Sequence, residues 1–160
     1  MVYLVKYDFG VIKMKIDVKI KKLKENAITP TKGSEDSAGA DLYALLDKDI
    51  TLAPSETFMV PTGLALELPK GTVGLIYARS GIATKRGLAP ANKVGVIDND
   101  YRGEVMVALH NHSDKPQTIT NGERIAQLVV MPYYSVSFIE STELSETDRG
   151  EGGFGSTGRK

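Results

Sequence analysis

Apolar and polar positions alternate in short runs along most of the chain. In "MKIDVKIKKL", Met14, Ile16, Val18 and Ile20 fall on one parity, and Lys15, Asp17, Lys19 and Lys21 on the other. That period of two predicts a half-buried strand with one solvated face. Further strand-length pieces follow: "DLYALL", then the stretch from Lys48 to Ala78, punctuated by Pro54, Pro61-Thr62-Gly63 and Pro69-Lys70-Gly71. "KVGVI", "EVMVALHN", "QTIT" and "RIAQLVVMPYYSVSFI" complete the series. Valine, isoleucine, threonine and tyrosine dominate, and no long 3.6-residue period is visible. Many short strands at intervals of about 8–12 residues predict an all-β sandwich or barrel. One short helix is expected, "SGIATKRG", with Ser80 as N-cap and Gly87 as its stop.

The alternation ends after Leu144. From Ser145 to Lys160 the only large apolar side chain is Phe154, so this stretch cannot bury a core of its own and is expected to be a mobile, glycine-rich arm. A dozen extended residues would span about 40 Å at about 3.3 Å each, enough to reach a distant site on the same or a neighbouring subunit. The expected organisation is a single domain over 1–160, with an N-terminal extension at 1–13, a β core at 14–144 and the arm at 145–160.

Composition narrows the function classes. The chain has 160 residues, 20 basic and 20 acidic, with no cysteine. Zero net charge gives no global field for nucleic acid or a membrane. Without cysteine there are no disulfides, zinc–thiolate sites or thiol nucleophiles. The early apolar run "MVYLV" ends at Lys6, too short for a signal peptide or a membrane span, so a soluble cytoplasmic protein is expected. Residues 1–24 hold seven lysines against Asp8 and Asp17, but their alternation reads as a solvated strand face.

Five islands pair glycine with polar residues: "SAGADLYA" (37–44), "YARSGIATKRG" (77–87), "NKVGVIDNDYRGE" (92–104), "GERIAQLV" (122–129) and "RGEGGFGSTG" (149–158). In the second, Arg79, Ser80 and Gly81 offer a guanidinium, a hydroxyl and free N–H groups at a helix start, which suits phosphate. The bland alternative is a cap and a surface ion pair. The third packs Asp98, Asp100, Tyr101, Arg102 and Glu104 into what also reads as a hairpin turn; one acid there would serve as general base, and the sequence does not say which. In the fourth, Arg124 and Gln127 stand three apart, on opposite faces of a regular strand. The fifth contains G-x-G-x-x-G at Gly153, Gly155 and Gly158, but Arg159 and Lys160 follow it where a dinucleotide turn needs a helix. Its Phe154 offers a stacking face to a base, and Arg149, Ser156 and Thr157 offer phosphate contacts. A flexible linker is the alternative. His110 and His112 read as strand-end residues.

In this order the motifs "AGADL", "ARSGIA", "GVIDNDYRGE", "RIAQL" and "RGEGGFGSTG" resemble the trimeric dUTPase family, over residues 38 to 158. The resemblance implies a jelly-roll-like β fold and a homotrimer with active sites between subunits. It further implies Mg²⁺-dependent hydrolysis of dUTP to dUMP and pyrophosphate by water attack on the α-phosphorus, which keeps uracil out of DNA and supplies dUMP for dTMP synthesis. On matching positions, Asp98 would activate the water and contact the 3′-OH. Asn92 would read the uracil edge together with backbone groups of the Gly95–Ile97 stretch. Tyr101 would pack under the deoxyribose. Arg79, Ser80, Gly81 and Gln127 would line the triphosphate, and Asp41 would hold Mg²⁺ through water. Arg149, Phe154, Gly155, Ser156 and Thr157 would close from a neighbouring chain, while Arg124 looks structural. Two departures are small: Ala78 stands where many relatives have proline, and Ala40 is at a variable position. The rivals are a dCTP deaminase on the same fold, which would need different groups around residues 92–104, and a non-catalytic module, which would have lost the base or the arm.

Overall fold

The computed structural model describes residues 2–6 and 12–153. Its elements run β1 (Val2–Lys6), β2 (Ile12–Ile16), β3 (Lys19–Lys22), β4 (Thr31–Lys32), β5 (Ala40–Tyr43), β6 (Ile50–Leu52) and β7 (Thr57–Glu67). They continue with β8 (Thr72–Tyr77), α1 (Ser80–Arg86), β9 (Leu88–Pro90), β10 (Gly95–Ile97), β11 (Glu104–Asn111), β12 (Gln117–Ile119) and β13 (Arg124–Pro132). A five-stranded sheet has the order β10-β8-β13-β5-β4, and a four-stranded sheet the order β3-β7-β11-β9. Two pairs, β12-β6 and β1-β2, complete the set, and all strand pairs are antiparallel. The result is the all-β fold with one short helix that the alternating pattern predicts, in the jelly-roll-like form that the family resemblance implies.

Period-two burial is clean where a strand has the core on one side. In β11, Val105, Val107, Leu109 and Asn111 are buried while the residues between them are not. Val105, Val107 and Leu109 join Leu42, Ile76, Ile125 and Leu128 of the five-stranded sheet, and Leu52 and Ile119 of the small pair, in one apolar cluster. Fully burying such a side chain is worth about 1.5–3 kcal/mol. Buried Asn111 is satisfied: its Nδ2 donates to Leu52 O at 3.0 Å and Lys115 O at 2.8 Å. Its Oδ1 accepts from the N–H and hydroxyl of Ser113.

Four sequence expectations change. The "MKIDVKIKKL" strand breaks at Asp17-Val18 into β2 and β3, and β3 is exposed throughout, Ile20 included, because it is the edge of its sheet. Ser80 is not the N-cap: Arg79 holds that place in an extended conformation, no side chain caps the helix, and Ser80 is its first residue. Gly87 does terminate α1, in the left-handed region at φ 67°. The loop after Ile97 is not a hairpin, since β10 pairs with β8 and β11 with β7 and β9, so residues 98–103 cross between sheets with no positive φ. Finally, the last strand stops at Pro132. Past Tyr133 the described chain bonds only to near neighbours, and it leaves Tyr134 93% and Phe138 95% exposed.

Candidate active site

The predicted site residues of the β core fall into two groups, and those of the C-terminal arm into neither. The first is a cleft of about 260 Å³ at the start of β11, lined among others by Ile76, Asn92, Gly95, Ile97, Asp98, Tyr101 and Glu104. The crossing loop that forms it is fastened internally: Tyr101 N–H donates to Asp98 O at 3.1 Å, and Arg102 Nη1 to Asn99 O at 2.7 Å. Tyr101 Oη donates to Glu104 O at 3.1 Å, which lays the ring across Gly103, where a Cβ would collide with it.

Of the acids in this loop, two line the cleft, and they differ. Glu104 Oε1 accepts the N–H of Gly63 at 2.7 Å. Gly63 sits in a bulge of β7 at φ 69°, where any side chain would strike Leu45 and Ala27. The Glu104 carboxylate is therefore a structural acceptor. Asp98 is exposed at the cleft and takes no hydrogen bond on its carboxylate from a described residue, and Asp100 does not line the cleft.

The second group is electrostatic. Asp41 on β5 accepts Arg79 Nε at 2.6 Å on one oxygen and Arg124 Nη1 at 3.2 Å on the other. Asp41 and Arg79 are well shielded, at 15% and 21% exposure. Gln127 lies directly across from Asp41 and donates to Ala78 O at 2.8 Å, which ties β13 to the turn entering α1. Gly39 makes room for this amide, since a Cβ there would collide with Gln127 Oε1.

Arg124 and Gln127 do not diverge as a regular strand would have them. A bulge between Arg124 and Ala126 shifts the register, so Arg124 pairs with Tyr43 and Gln127 with Asp41, two residues apart and hence on one face of β5. That irregularity brings the fourth motif, with Arg124, to the second, with Arg79, and nothing in the spacing signals it.

None of Asp41, Arg79, Arg124 and Gln127 lines the cleft. Ser80 and Gly81 are exposed on the first turn of α1. Arg149 is turned onto its own loop, Nε to Gly152 O at 2.7 Å. Phe154, Gly155, Ser156 and Thr157 lie outside the described residues. His110 bonds Thr57 Oγ1 at 2.7 Å, and its ring lies 4.3 Å from that of His112, near the end of β11 and outside both groups. A larger groove of about 510 Å³, between Leu45 and Pro61, contains none of the predicted residues. Among the described residues no three His, Cys, Asp or Glu side chains cluster as metal ligands, and no helix is long and apolar enough to cross a membrane.

One jelly-roll-like β fold thus carries an open cleft and, apart from it, a shielded arginine–carboxylate cluster. A family model described as dUTPase matches residues 25–158. The deoxyuridine 5′-triphosphate nucleotidohydrolase of Desulfitobacterium hafniense (strain DSM 10664 / DCB-2) is 50% identical over 130 residues, covering 81% of this chain and 86% of the relative. That of Neisseria meningitidis serogroup B is 46% identical over 148 residues, covering 91% and 99%. Among solved structures, a mutant dUTPase of Staphylococcus bacteriophage 80alpha with dUpNHpp superposes with a TM-score of 0.81 at 28% identity, covering 90% of this chain and 99% of that one. The chain belongs to the dUTPase family, and is accordingly an enzyme.

Proposed function

We propose that the protein hydrolyses dUTP to dUMP and pyrophosphate in the cytoplasm, and so keeps uracil out of DNA and supplies dUMP for dTMP synthesis. The observation that carries the mechanism is the contrast between the two cleft acids. Glu104 is engaged by the Gly63 N–H, whereas Asp98 keeps its carboxylate available at the cleft. Asp98 takes a proton from a water that attacks the α-phosphorus; the bond from that phosphorus to the α–β bridging oxygen breaks, and pyrophosphate leaves. General-base help of this kind contributes about 10²–10⁴ in rate.

The cleft takes the nucleoside. Asn92 and the backbone of Gly95 and Ile97 read the uracil edge, and the Tyr101 ring, pinned by Glu104 O and Gly103, lies under the deoxyribose and leaves no room for a 2′-OH. The cluster takes the phosphates: Arg79, Ser80, Gly81 and Gln127 line the chain, and Arg124 completes the charge around Asp41. Asp41, the hard carboxylate of the cluster, has both oxygens facing arginines and would therefore hold Mg²⁺ through water. Bound there, the ion would neutralise phosphate charge. Arg149, Phe154, Gly155, Ser156 and Thr157 close over the nucleotide and exclude water.

The assembly is a homotrimer in which the cleft of one subunit meets the cluster of another. Two observations support it: the cleft lining contains none of the cluster residues, and Tyr134, Phe138, Ile139 and Leu144 are left largely exposed by the described residues. Exposed apolar stretches of this length are characteristic of interfaces. Incubation with Mg²⁺ and dUTP, dCTP, UTP or dTTP separately, with products resolved chromatographically, tests the reading. Consumption of dUTP alone, to dUMP and pyrophosphate, is expected; dUMP or dUTP arising from dCTP would replace it with a deaminase, and binding without turnover with a non-catalytic module.

A further inference from the structure

Helix α1 is too short to hold its own direction. It has seven residues and buries one side chain, Ile82, whereas isolated helices below about 12–15 residues are marginal in water. Its orientation is set by what grips its two ends. At the N-terminal end Arg79 is tied to Asp41. At the C-terminal end Arg86 reaches three acceptors on another segment: Nη1 donates to Glu123 Oε1, Nη2 to Thr118 O, and Nε to Gln117 Oε1 at 3.1 Å. The Arg86 and Glu123 side chains are only 29% and 19% exposed, so solvent and salt screen this pair less than a surface pair. Glu123 is fixed in turn: Oε2 accepts Thr120 N–H at 3.1 Å and its carbonyl accepts Ala44 N–H at 2.8 Å. The next residue is Arg124.

We propose that Arg86 and Glu123 form a positioning pair for anion recognition. They lock α1 to the turn that opens β13, and thereby fix the spacing of Arg79 and Arg124 around Asp41 that a triphosphate chain requires. The inference rests on the reading of that cluster as the triphosphate side and deepens it. Neither member touches substrate; both act through the arginines. The planar fork of Arg86 serves three acceptors at fixed angles, which a lysine cannot reproduce. Without it, Arg79 keeps Asp41 but loses the far anchor of its helix. Misplacement of a positioning group by about 1 Å can cost on the order of a hundredfold.

The test uses full-length wild type, Arg86→Ala, Arg86→Lys and Glu123→Gln, each shown to be folded at the assay temperature by its melting curve. Calorimetry measures binding of inorganic pyrophosphate, dUMP and dUpNHpp, and steady-state kinetics give KM and kcat with dUTP. In Arg86→Ala, pyrophosphate and dUpNHpp are expected to weaken by about tenfold or more, with a smaller loss in Arg86→Lys, while dUMP affinity stays within about twofold. KM should rise by more than kcat falls. Equal loss for dUMP, or unchanged affinities in folded variants, would overturn the proposal. If Arg86→Ala does not fold, Glu123→Gln, which keeps the shape and an acceptor, carries the same expectation at smaller size. Wild type that binds no pyrophosphate overturns the triphosphate reading and the pair's role with it; wild-type binding with unaltered variants overturns the pair's role alone.

Discussion

The cleft and the cluster solve opposite problems. The cluster is charged and self-satisfied, with Asp41 answering two arginines, Gln127 holding Ala78 O, and Arg86 and Glu123 bracing the helix from behind. The cleft is open and under-engaged, with Asp98 and Asn92 making no side-chain hydrogen bonds to described residues and Tyr101 half-exposed. Charge that is to meet a polyanion must be held in place beforehand, since ordering long arginine side chains costs entropy. A base that is to take a proton must be left unpartnered. The difference teaches which half is expected to govern turnover and which to govern affinity.

Mutations should separate the two. Asp98→Asn is expected to lower kcat by about 10²–10⁴ with a smaller change in KM; near-normal turnover in a steady-state assay would remove Asp98 from its role. Deleting residues 149–160 should leave the fold intact and reduce kcat/KM by on the order of 10², because the arm is expected to cover both halves at once. An unchanged rate would show that the two halves suffice alone. Tyr101→Ala should narrow the preference for dUTP over UTP by about tenfold, read as a ratio of kcat/KM values; unaltered selectivity would contradict the steric account of the cleft.

The smallest effect expected lies outside both groups and serves as a control. Partial desolvation, then Lys93 and His110, hold His112 below the ordinary imidazole value. The unfolded chain therefore binds this proton more readily than the folded one. Its contribution to stability is present above the unfolded value of about 6.5 and is lost as pH falls through the folded value. His112→Gln should flatten the fall of Tm below about pH 6.5 without altering kcat. An identical Tm profile would show that other groups set it.

Much of this was legible in the sequence for physical reasons. Burial on one face imposes a period of two, so β8 and β11 could be read directly, and Gly87 marks a left-handed stop that other residues resist. The order of the glycine islands carried the family. What remained hidden depends on contacts distant in sequence. The break between β2 and β3 follows from an edge position, which alternation does not encode. The shared face of Arg124 and Gln127 needs a bulge at the start of β13. Residues 98–103 have the composition of a turn, and only strand pairing shows that they cross between sheets. Which acid stays available depends on the Gly63 N–H, some forty residues from Glu104. Arg86 reads as an ordinary last-turn cation, and Glu123 as a turn acid. Gly39 and Gly103 make room for the Gln127 amide and the Tyr101 ring, neighbours that only the folded chain reveals.

The division of labour has its most direct test in subunit mixing. Asp98→Asn and Arg79→Ala chains, each nearly inactive alone, are co-refolded in equal amounts and assayed for dUTP hydrolysis. If each site joins the cleft of one subunit to the cluster of the next, random trimers restore about a quarter of the sites, and activity rises far above either parent. If both halves of a site belong to one chain, no chain is whole, and the mixture will be as inactive as its parts.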